Sequence, residues 1–259
     1  MEVSSPSWFD VNGLEALLVL LAGVAAGTIN TVVGSGTLIT FPILLAVGLP
    51  PVTANVSNTV GLFSGSLVGA YGYRQELTGQ RQRVQQLATA SMIGAVIGAV
   101  LLLELPAAAF NAIVPVLIVI ALVLVLFGKR LTTLLVRGRP RHTEVTVTLW
   151  IVTLLTGVYG GYFGAAQGVL LIGFFGLLLD EPIQRQNALK NVLAGLVNLV
   201  AAVVFVATAP IDWAAAGLLT VGSIAGGLLG AKIGRRLPGA ALRGVIVVVG
   251  IAAIVKLLA

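Results

Sequence analysis

The chain has 259 residues, of which 58% are hydrophobic and only 9% are charged, and its mean hydropathy is +1.07. Soluble domains carry charged side chains at about a quarter of their positions, so this composition excludes a soluble globular protein and predicts an integral membrane protein. The sequence contains no cysteine, which excludes a disulfide framework and any Cys-based metal or redox centre.

Ten apolar segments follow one another along the chain. They lie at 14–33, 37–49, 52–73, 84–103, 106–128, 145–164, 168–179, 183–208, 211–231 and 240–258. A helix needs about 20 apolar residues to span a bilayer, so the second and seventh segments are too short to cross upright and are predicted as half-helices or re-entrant pieces. The predicted fold is an all-α membrane protein, a helical bundle of two five-segment repeats with short broken or re-entrant helices near the midplane.

Basic residues indicate how the segments are oriented. Three clusters are formed by Arg74, Arg81 and Arg83, by Lys129, Arg130, Arg137, Arg139 and Arg141, and by Lys232, Arg235, Arg236 and Arg243. Because cytoplasmic loops are rich in Lys and Arg, a chain that starts outside and crosses at every segment has all three clusters inside and both termini outside. Five segments in each repeat make the second repeat inverted relative to the first. This topology accounts for the formal charge of +6, so we expect contact with the lipid bilayer and no nucleic-acid binding.

The ends and the middle of the chain suggest its division. Residues 1–12 lack the basic start of a signal peptide, so the first helix is expected to remain. The only sizeable hydrophilic stretch joins the two repeats and is interpreted as a linker. We predict a first transmembrane repeat at 1–128, a cytoplasmic linker at 129–144 and a second transmembrane repeat at 145–259, all in the inner (plasma) membrane.

Two stretches, 23–73 and 157–205, carry the same landmarks in the same order. Each opens with G-x-x-x-G and continues through a glycine-rich break, a short apolar run, a proline turn and a helix that begins with amide side chains. Internal repeats whose hydrophobic segments are short and interrupted by glycine indicate the binding site of secondary transporters. The duplication therefore favours a transporter.

The glycine breaks are the first candidate site. Their residues are Gly34, Ser35 and Gly36 in the first copy and Gly164, Gln167 and Gly168 in the second. A short helix that starts at each break would aim free backbone N–H groups and a positive dipole end at the membrane interior, and two such helix starts would form an anion site. Alternatively, these glycines only allow close helix packing, which is our interpretation of Gly94, Gly98, Gly222, Gly226 and Gly230.

Polar side chains follow both proline turns. They are Asn55 and Asn58 in the first copy and Asn187, Lys190, Asn191 and Asn198 in the second. Asn58 and Asn191 are predicted to lie about 10 to 14 Å along their helices, near the midplane, where an amide either donates to substrate oxygens or joins two helices. For Asn198 we expect a bond between helices. Lys190 either faces a substrate cavity, as an intramembrane cation does by default, or snorkels to the cytoplasmic surface beside Arg185.

Catalysis has little support in this sequence. Ser35 lacks a base for nucleophilic attack, because the only histidine, His142, lies in the predicted cytoplasmic loop. Without an HExxH, Asp-rich or Walker motif, neither metal nor nucleotide chemistry is indicated, and we expect no cofactor. Tyr159 and Tyr162 are the aromatic residues expected to offer a hydroxyl to a cavity. A cation transporter or channel remains the alternative to an anion transporter, although carboxylates are scarce in the predicted spans.

The paired breaks and amides resemble the sulfite exporter TauE/SafE family of membrane permeases over essentially the whole chain. The residues that carry the resemblance are Asn30-x-x-x-Gly34-Ser-Gly36, Pro42 and Ala54-Asn55-x-x-Asn58, and then Gly164-x-x-x-Gly168, Asn187-Ala-Leu-Lys190-Asn191 and Asn198. The resemblance implies alternating-access movement, often outward, of small sulfur-containing anions such as sulfite, sulfonates or sulfoacetate. One departure is the Gly-Ala-Ala-Gln-Gly run of the second break, where the family has denser glycine; the shape of that half-site stays open.

Overall fold

The computed structural model describes residues 13–136 and 142–233 together with residues 244, 247, 248 and 251, and in this part of the chain the fold is all α-helical, as predicted. The helices are α1 (Gly13–Val32), α2 (Thr37–Ala46), α3 (Pro51–Gly72), α4 (Arg81–Glu104), α5 (Ala107–Val136), α6 (Val147–Tyr162), α7 (Gln167–Leu178), α8 (Ile183–Thr208) and α9 (Trp213–Ile233). A 3₁₀ turn at Arg74–Leu77 joins α3 to α4.

Five of these helices are long and apolar enough to cross a membrane. They are α1, α4, α5 (over Ala107–Phe127), α8 and α9 (over Trp213–Lys232). The two segments that were too short in the sequence form short helices, α2 with 10 residues and α7 with 12. At 1.5 Å per residue they extend about 15 and 18 Å, roughly half the thickness of the hydrocarbon core. Neither can cross the bilayer alone.

The two halves of the chain are interleaved, since the main partner of each long helix belongs to the other half. The α1 helix packs on α9 and α6 packs on α4, while α3 contacts both α8 and α9 and α8 contacts both α3 and α4. Exchanging the halves maps the α1–α9 pair onto α6–α4 and the α3–α9 pair onto α8–α4, and it maps the α3–α8 pair onto itself. The packing pattern is therefore the same for both halves.

Small residues allow the closest of these contacts. A Cβ atom on Gly27 of α1 would lie 2.9 Å from the Ser223 Cα of α9, and one on Gly161 of α6 would lie 2.9 Å from the Ala95 Cα of α4. Cβ atoms essentially never approach so closely, so both helix pairs need glycine at these positions. The same contacts involve Gly94, Gly98, Gly222, Gly226 and Gly230, which confirms the packing interpretation of those five glycines.

Not all of the predicted layout falls on described residues. The α5 helix continues to Val136, so the first eight residues of the predicted linker, 129–136, are helical. Residues 1–12 and 252–259, on which the prediction of external termini depends, lie outside the described residues, as do residues 137–141 of the linker and most of the predicted tenth segment.

Candidate functional site

The long helices α1 and α6 end in the same way at the two glycine breaks. In the first, the N–H groups of Val33 and Gly34 both donate to the Ile29 carbonyl oxygen, at 2.7 and 2.9 Å; in the second, those of Phe163 and Gly164 both donate to the Tyr159 carbonyl oxygen, at 3.0 Å each. Each break then needs positive φ angles, +88° at Gly34 and +75° at Gly164. Glycine adopts such angles without steric cost, which is why α1 and α6 end here.

The short helices begin three residues after these glycines, at Thr37 and Gln167, in agreement with the sequence prediction. The first start is held by Asn30, whose Oδ1 accepts the Gly36 N–H at 2.9 Å. At the second start, Ala166 has φ of +59°, a rare conformation for a residue with a Cβ atom. The denser glycine run expected there is absent, and the backbone differs: the residue before α2, Gly36, has φ of −61°, whereas the residue before α7 is the left-handed Ala166.

The two breaks touch each other. The Gly168 N–H donates to the Gly34 carbonyl oxygen at 3.0 Å, and a Cβ atom on Gly168 would lie 2.5 Å from the Gly34 Cα and 2.9 Å from the Lys190 Cδ. On Gly36, a Cβ would lie 3.0 Å from the Ala26 carbonyl carbon. Gly34, Gly36 and Gly168 thus serve close packing. The prediction of free N–H groups fails at Gly168, whose N–H is already bonded.

Lys190 lies beside this contact, deep within the protein. Lys190 is 1% exposed, which excludes the alternative that it snorkels to the surface. The Lys190 Nζ donates to the backbone oxygens of Asn30 at 2.9 Å and of Thr31 at 3.2 Å, the last carbonyls of α1. Such carbonyls lack partners within their helix and lie at the negative end of its dipole, which is why they attract an ammonium group.

Amides of one half also hold the helix end of the other half. Asn187 and Asn191 donate through Nδ2 to the Thr31 oxygen at 3.3 and 3.2 Å. In the reverse direction, Asn55 Nδ2 of α3 donates to the Tyr162 oxygen at the end of α6, at 3.0 Å. Asn55 and Asn187 therefore have matching structural roles.

Asn58 has a different environment from Lys190, although both lie eight residues after the proline that caps their helix, Pro50 or Pro182. Its Nδ2 donates to the Thr37 hydroxyl at 3.2 Å, and its Oδ1 accepts a short hydrogen bond from Thr40. Sequence reasoning missed Thr31, Thr37 and Thr40. For Thr37 and Thr40, a spacing of three residues on one helix face was the available signal.

Four buried polar atoms at the breaks have no hydrogen-bond partner among the described residues. They are Ser35 Oγ, Asn55 Oδ1, Tyr162 OH and Gln167 Nε2. Buried polar groups are nearly always paired, so these unpaired ones indicate groups available to a ligand. The Tyr162 hydroxyl is unpaired, and its predicted place in a cavity stays a prediction. The Tyr159 hydroxyl instead donates to the Ala165 oxygen and is not available.

Asn198, in contrast, has a side-chain partner on another helix. Its Nδ2 donates to the Ser66 hydroxyl of α3 at 3.3 Å, so it joins α8 to α3 as expected.

A second polar cluster surrounds Glu181 in the turn between α7 and α8. Its carboxylate accepts from Arg83 Nη1 of α4 at 2.8 Å and from Arg185 Nε at 2.6 Å. Burial alone would raise the pKa of Glu181, but the hydrogen bonds and charges of the two arginines outweigh it and hold that pKa below its usual value. The cluster ties α4 to the start of α8.

The chain is similar to several proteins described as membrane transporters. The chain is 31% identical to a probable membrane transporter protein of Sinorhizobium sp. over 92% of this chain and 90% of that protein. It is 26% identical to a probable membrane transporter protein of Haemophilus influenzae, over 85% and 86% of the two chains, and 27% identical to the probable membrane transporter protein YfcA of Escherichia coli K12, over 89% and 83%. No solved structure matches the chain significantly.

The model of the family described as sulfite exporter TauE/SafE matches residues 19–257, which include both breaks and all the polar residues described above. Membrane transporters are multi-pass membrane proteins, and the five long apolar helices fit this class. The chain belongs to the sulfite exporter TauE/SafE family of membrane transporters.

Proposed function

We propose that this protein is a permease for small sulfur-containing anions such as sulfite, sulfonates or sulfoacetate, which bind between the two breaks and cross by alternating access. The observation that carries the proposal is Lys190, a lysine 1% exposed whose described hydrogen-bond partners are backbone oxygens. The sequences of α2, α3, α6, α7 and α8 contain no carboxylate, and that of α1 contains only Glu15, in its first turn. The candidate site thus has a cation without a matching acidic side chain.

Charge balance makes an anion the natural ligand of such a site. A buried ammonium without a counter-ion is costly, and helix-end carbonyls, with about half a charge between them, offset only part of that cost. A bound anion would supply the rest. Ser35 Oγ, Tyr162 OH and Gln167 Nε2 are unpaired groups that can donate hydrogen bonds to sulfonate or sulfite oxygens.

The contact between the breaks explains why the site has to open. With Gly168 N–H bonded to the Gly34 oxygen at 3.0 Å, an anion cannot lie between the breaks until this bond parts. Alternating access would separate the breaks toward one side of the membrane at a time. The same packing pattern in both halves supports two inverted repeats. The positions of Lys and Arg in the sequence support an orientation in the inner membrane with both termini outside and the basic clusters in the cytoplasm.

Flux measurements on the full chain in liposomes test the class of substrate. We expect sulfite or a sulfonate to be taken up while Na⁺ and K⁺ are not; chloride and sulfate are the comparison anions. Flux of cations without anions would support the alternative, a cation transporter or channel, and would contradict the proposal. Transport of chloride alone would support a permease for a different small anion.

Affinity measurements on purified protein test the site itself. Lys190→Met should weaken anion binding about 10- to 100-fold, because a charge-assisted hydrogen bond contributes about 1.5–3 kcal/mol. Asn58→Ala, at the equivalent position of the other half, should weaken it about 5-fold or less. Calorimetric titration with sulfite, sulfoacetate and taurine gives both values. Equal affinity of wild type and Lys190→Met would show that Lys190 does not hold the anion.

A further inference from the structure

The Lys190 ammonium lies at the C-terminal end of a broken membrane helix, where other transporters bind ions. Where a membrane helix is broken, the carbonyl oxygens at its C-terminal end coordinate the Na⁺ or H⁺ that is transported with the substrate. The end of α1 is such a place. Its last carbonyls, those of Asn30 and Thr31, lie 2.9 and 3.2 Å from the Lys190 Nζ, at the centre of the protein.

The other half shows what this helix end looks like without a cation. At the end of α6, the Tyr162 oxygen, one residue beyond the counterpart of the Thr31 oxygen, accepts from the neutral amide of Asn55 at 3.0 Å. The residue equivalent to Lys190 is Asn58, and it bonds the hydroxyls of Thr37 and Thr40 in its own half. In this fold, an amide side chain alone can therefore pair with a carbonyl oxygen at the end of a helix. The ammonium at α1 is an addition to Asn187 and Asn191, which already donate to the Thr31 oxygen.

We propose that the Lys190 ammonium is a tethered substitute for a coupling cation: it permanently fills a cation position at the end of α1, so that the protein binds and moves its anion without Na⁺ or K⁺. The statement about transport rests on the proposed anion function. The statement about the cation position does not, because it concerns only the contacts between Lys190 and α1.

Two consequences follow from the tether. A covalently bound ammonium cannot leave with the substrate, so no metal cation accompanies the anion through this position. Removal of the side chain should also leave a space that still prefers a positive charge, because the carbonyls of Asn30 and Thr31 remain. Beyond Cβ the lysine side chain has the size and charge of n-propylammonium, which makes that ion the matched probe for the space.

The first experiment measures the thermal stability of purified protein and needs no anion. Lys190→Ala should unfold at a lower Tm than wild type, and n-propylammonium chloride should raise that Tm by about 3 °C, whereas propan-1-ol, which has the same shape without the charge, should not. Asn58→Ala is the matched control, since its space faces hydroxyls and should gain nothing from the ammonium ion. An equal rise in Lys190→Ala and in Asn58→Ala or wild type, or no rise in any of them, would overturn the cation position.

The second experiment uses wild type alone, so it tests transport without Na⁺ or K⁺ even if Lys190→Ala fails to fold. Uptake of sulfite or a sulfonate into liposomes should change less than 2-fold when all Na⁺ and K⁺ are replaced by N-methyl-D-glucamine. A fall of 10-fold or more would overturn the proposal. If no anion is taken up under any condition while n-propylammonium still stabilises Lys190→Ala, the anion function fails and the cation position stands.

Discussion

The two breaks of this protein end their long helices in the same way, at a glycine with positive φ, but differ in the side chains around that turn. In the first break, the amide of Asn30 bonds the Gly36 N–H. The equivalent of Asn30 in the second break is Gly160, and the space above it is taken by the side chain of Gln167, whose Cδ would lie 2.5 Å from a Cβ on Gly160. Each break thus has one amide side chain, the half-buried Asn30 from the long helix in one half and the buried Gln167 from the short helix in the other.

The same comparison separates what the fold requires from what the site requires. Both halves need positive φ at the break, a capping proline and an amide that reaches the other half's helix end, so these features belong to the scaffold. At one pair of equivalent positions the halves differ in charge: the second half has Lys190 where the first has Asn58. The shared scaffold does not explain why only one of these two positions is charged. We therefore infer that Lys190 serves ligand binding.

The largest effect is expected where the breaks touch. Gly34→Ala requires φ of +88° from a residue with a Cβ atom and places that atom 2.9 Å from the Gly168 carbonyl carbon. We expect a loss of about 2–5 kcal/mol in the free energy of unfolding, from backbone strain of about 1–2 kcal/mol and overpacking of about 1–3 kcal/mol. Unfolding of the purified protein by denaturant in micelles measures it.

The control for this substitution is Gly48→Ala. Gly48 has a similar φ of +94°, but no atom lies within 4 Å of its added Cβ. It should lose only the strain, about 1–2 kcal/mol. If both variants lose the same amount, the contact between the breaks contributes nothing to stability and the closed arrangement described above is not the stable one.

The sequence was sufficient to predict this scaffold but not the contacts within it. Glycine, proline and hydrophobic length act locally, so the helix starts at Thr37 and Gln167 could be predicted to within one residue. The partner of Lys190 could not, because the Asn30 and Thr31 carbonyls are 160 and 159 residues away and a backbone oxygen leaves no mark in the sequence. Long-range pairing of that kind depends on how the helices pack.

A medium effect should distinguish the two helix ends that the amides hold. Asn55→Ala removes a side-chain donor at 3.0 Å from the Tyr162 oxygen and leaves that buried carbonyl short of a partner, which costs about 1–3 kcal/mol. Asn187→Ala should cost less than about 1 kcal/mol, because Lys190 and Asn191 still donate to the Thr31 oxygen.

Equilibrium unfolding of both variants, side by side, gives the difference. An Asn187→Ala variant as unstable as Asn55→Ala would mean that the three donors at Thr31 do not replace one another. In that case the ammonium would be an essential part of the helix end, and the amides of the two halves would not be equivalent.

The turns that lead into α3 and α8 differ as clearly as the breaks do. Before the capping proline, the first half has Leu49, which is 6% exposed and packs in the apolar core. The second half has Glu181 at the same position, paired with Arg83 and Arg185. One turn is therefore fixed by apolar burial, which does not change with pH, and the other by charges, which do.

The smallest effect expected is the pH dependence of that charged turn. Because the arginines outweigh burial and lower the pKa of Glu181 in the folded protein, folding favours its charged form. The stabilisation is fully present above the unfolded pKa of about 4.3 and is lost as the pH falls through the lowered folded pKa.

Glu181→Gln should therefore lower the free energy of unfolding by about 0.5–1 kcal/mol at pH 7, the usual contribution of partly exposed ion pairs, and the difference should shrink below about pH 4. Unfolding curves at pH 7, 5 and 3.5 measure it, with Glu104→Gln at the exposed end of α4 as the control. A difference that persists unchanged at the lowest pH would mean that Glu181 stabilises the turn through hydrogen bonds that glutamine cannot form, and not through its charge.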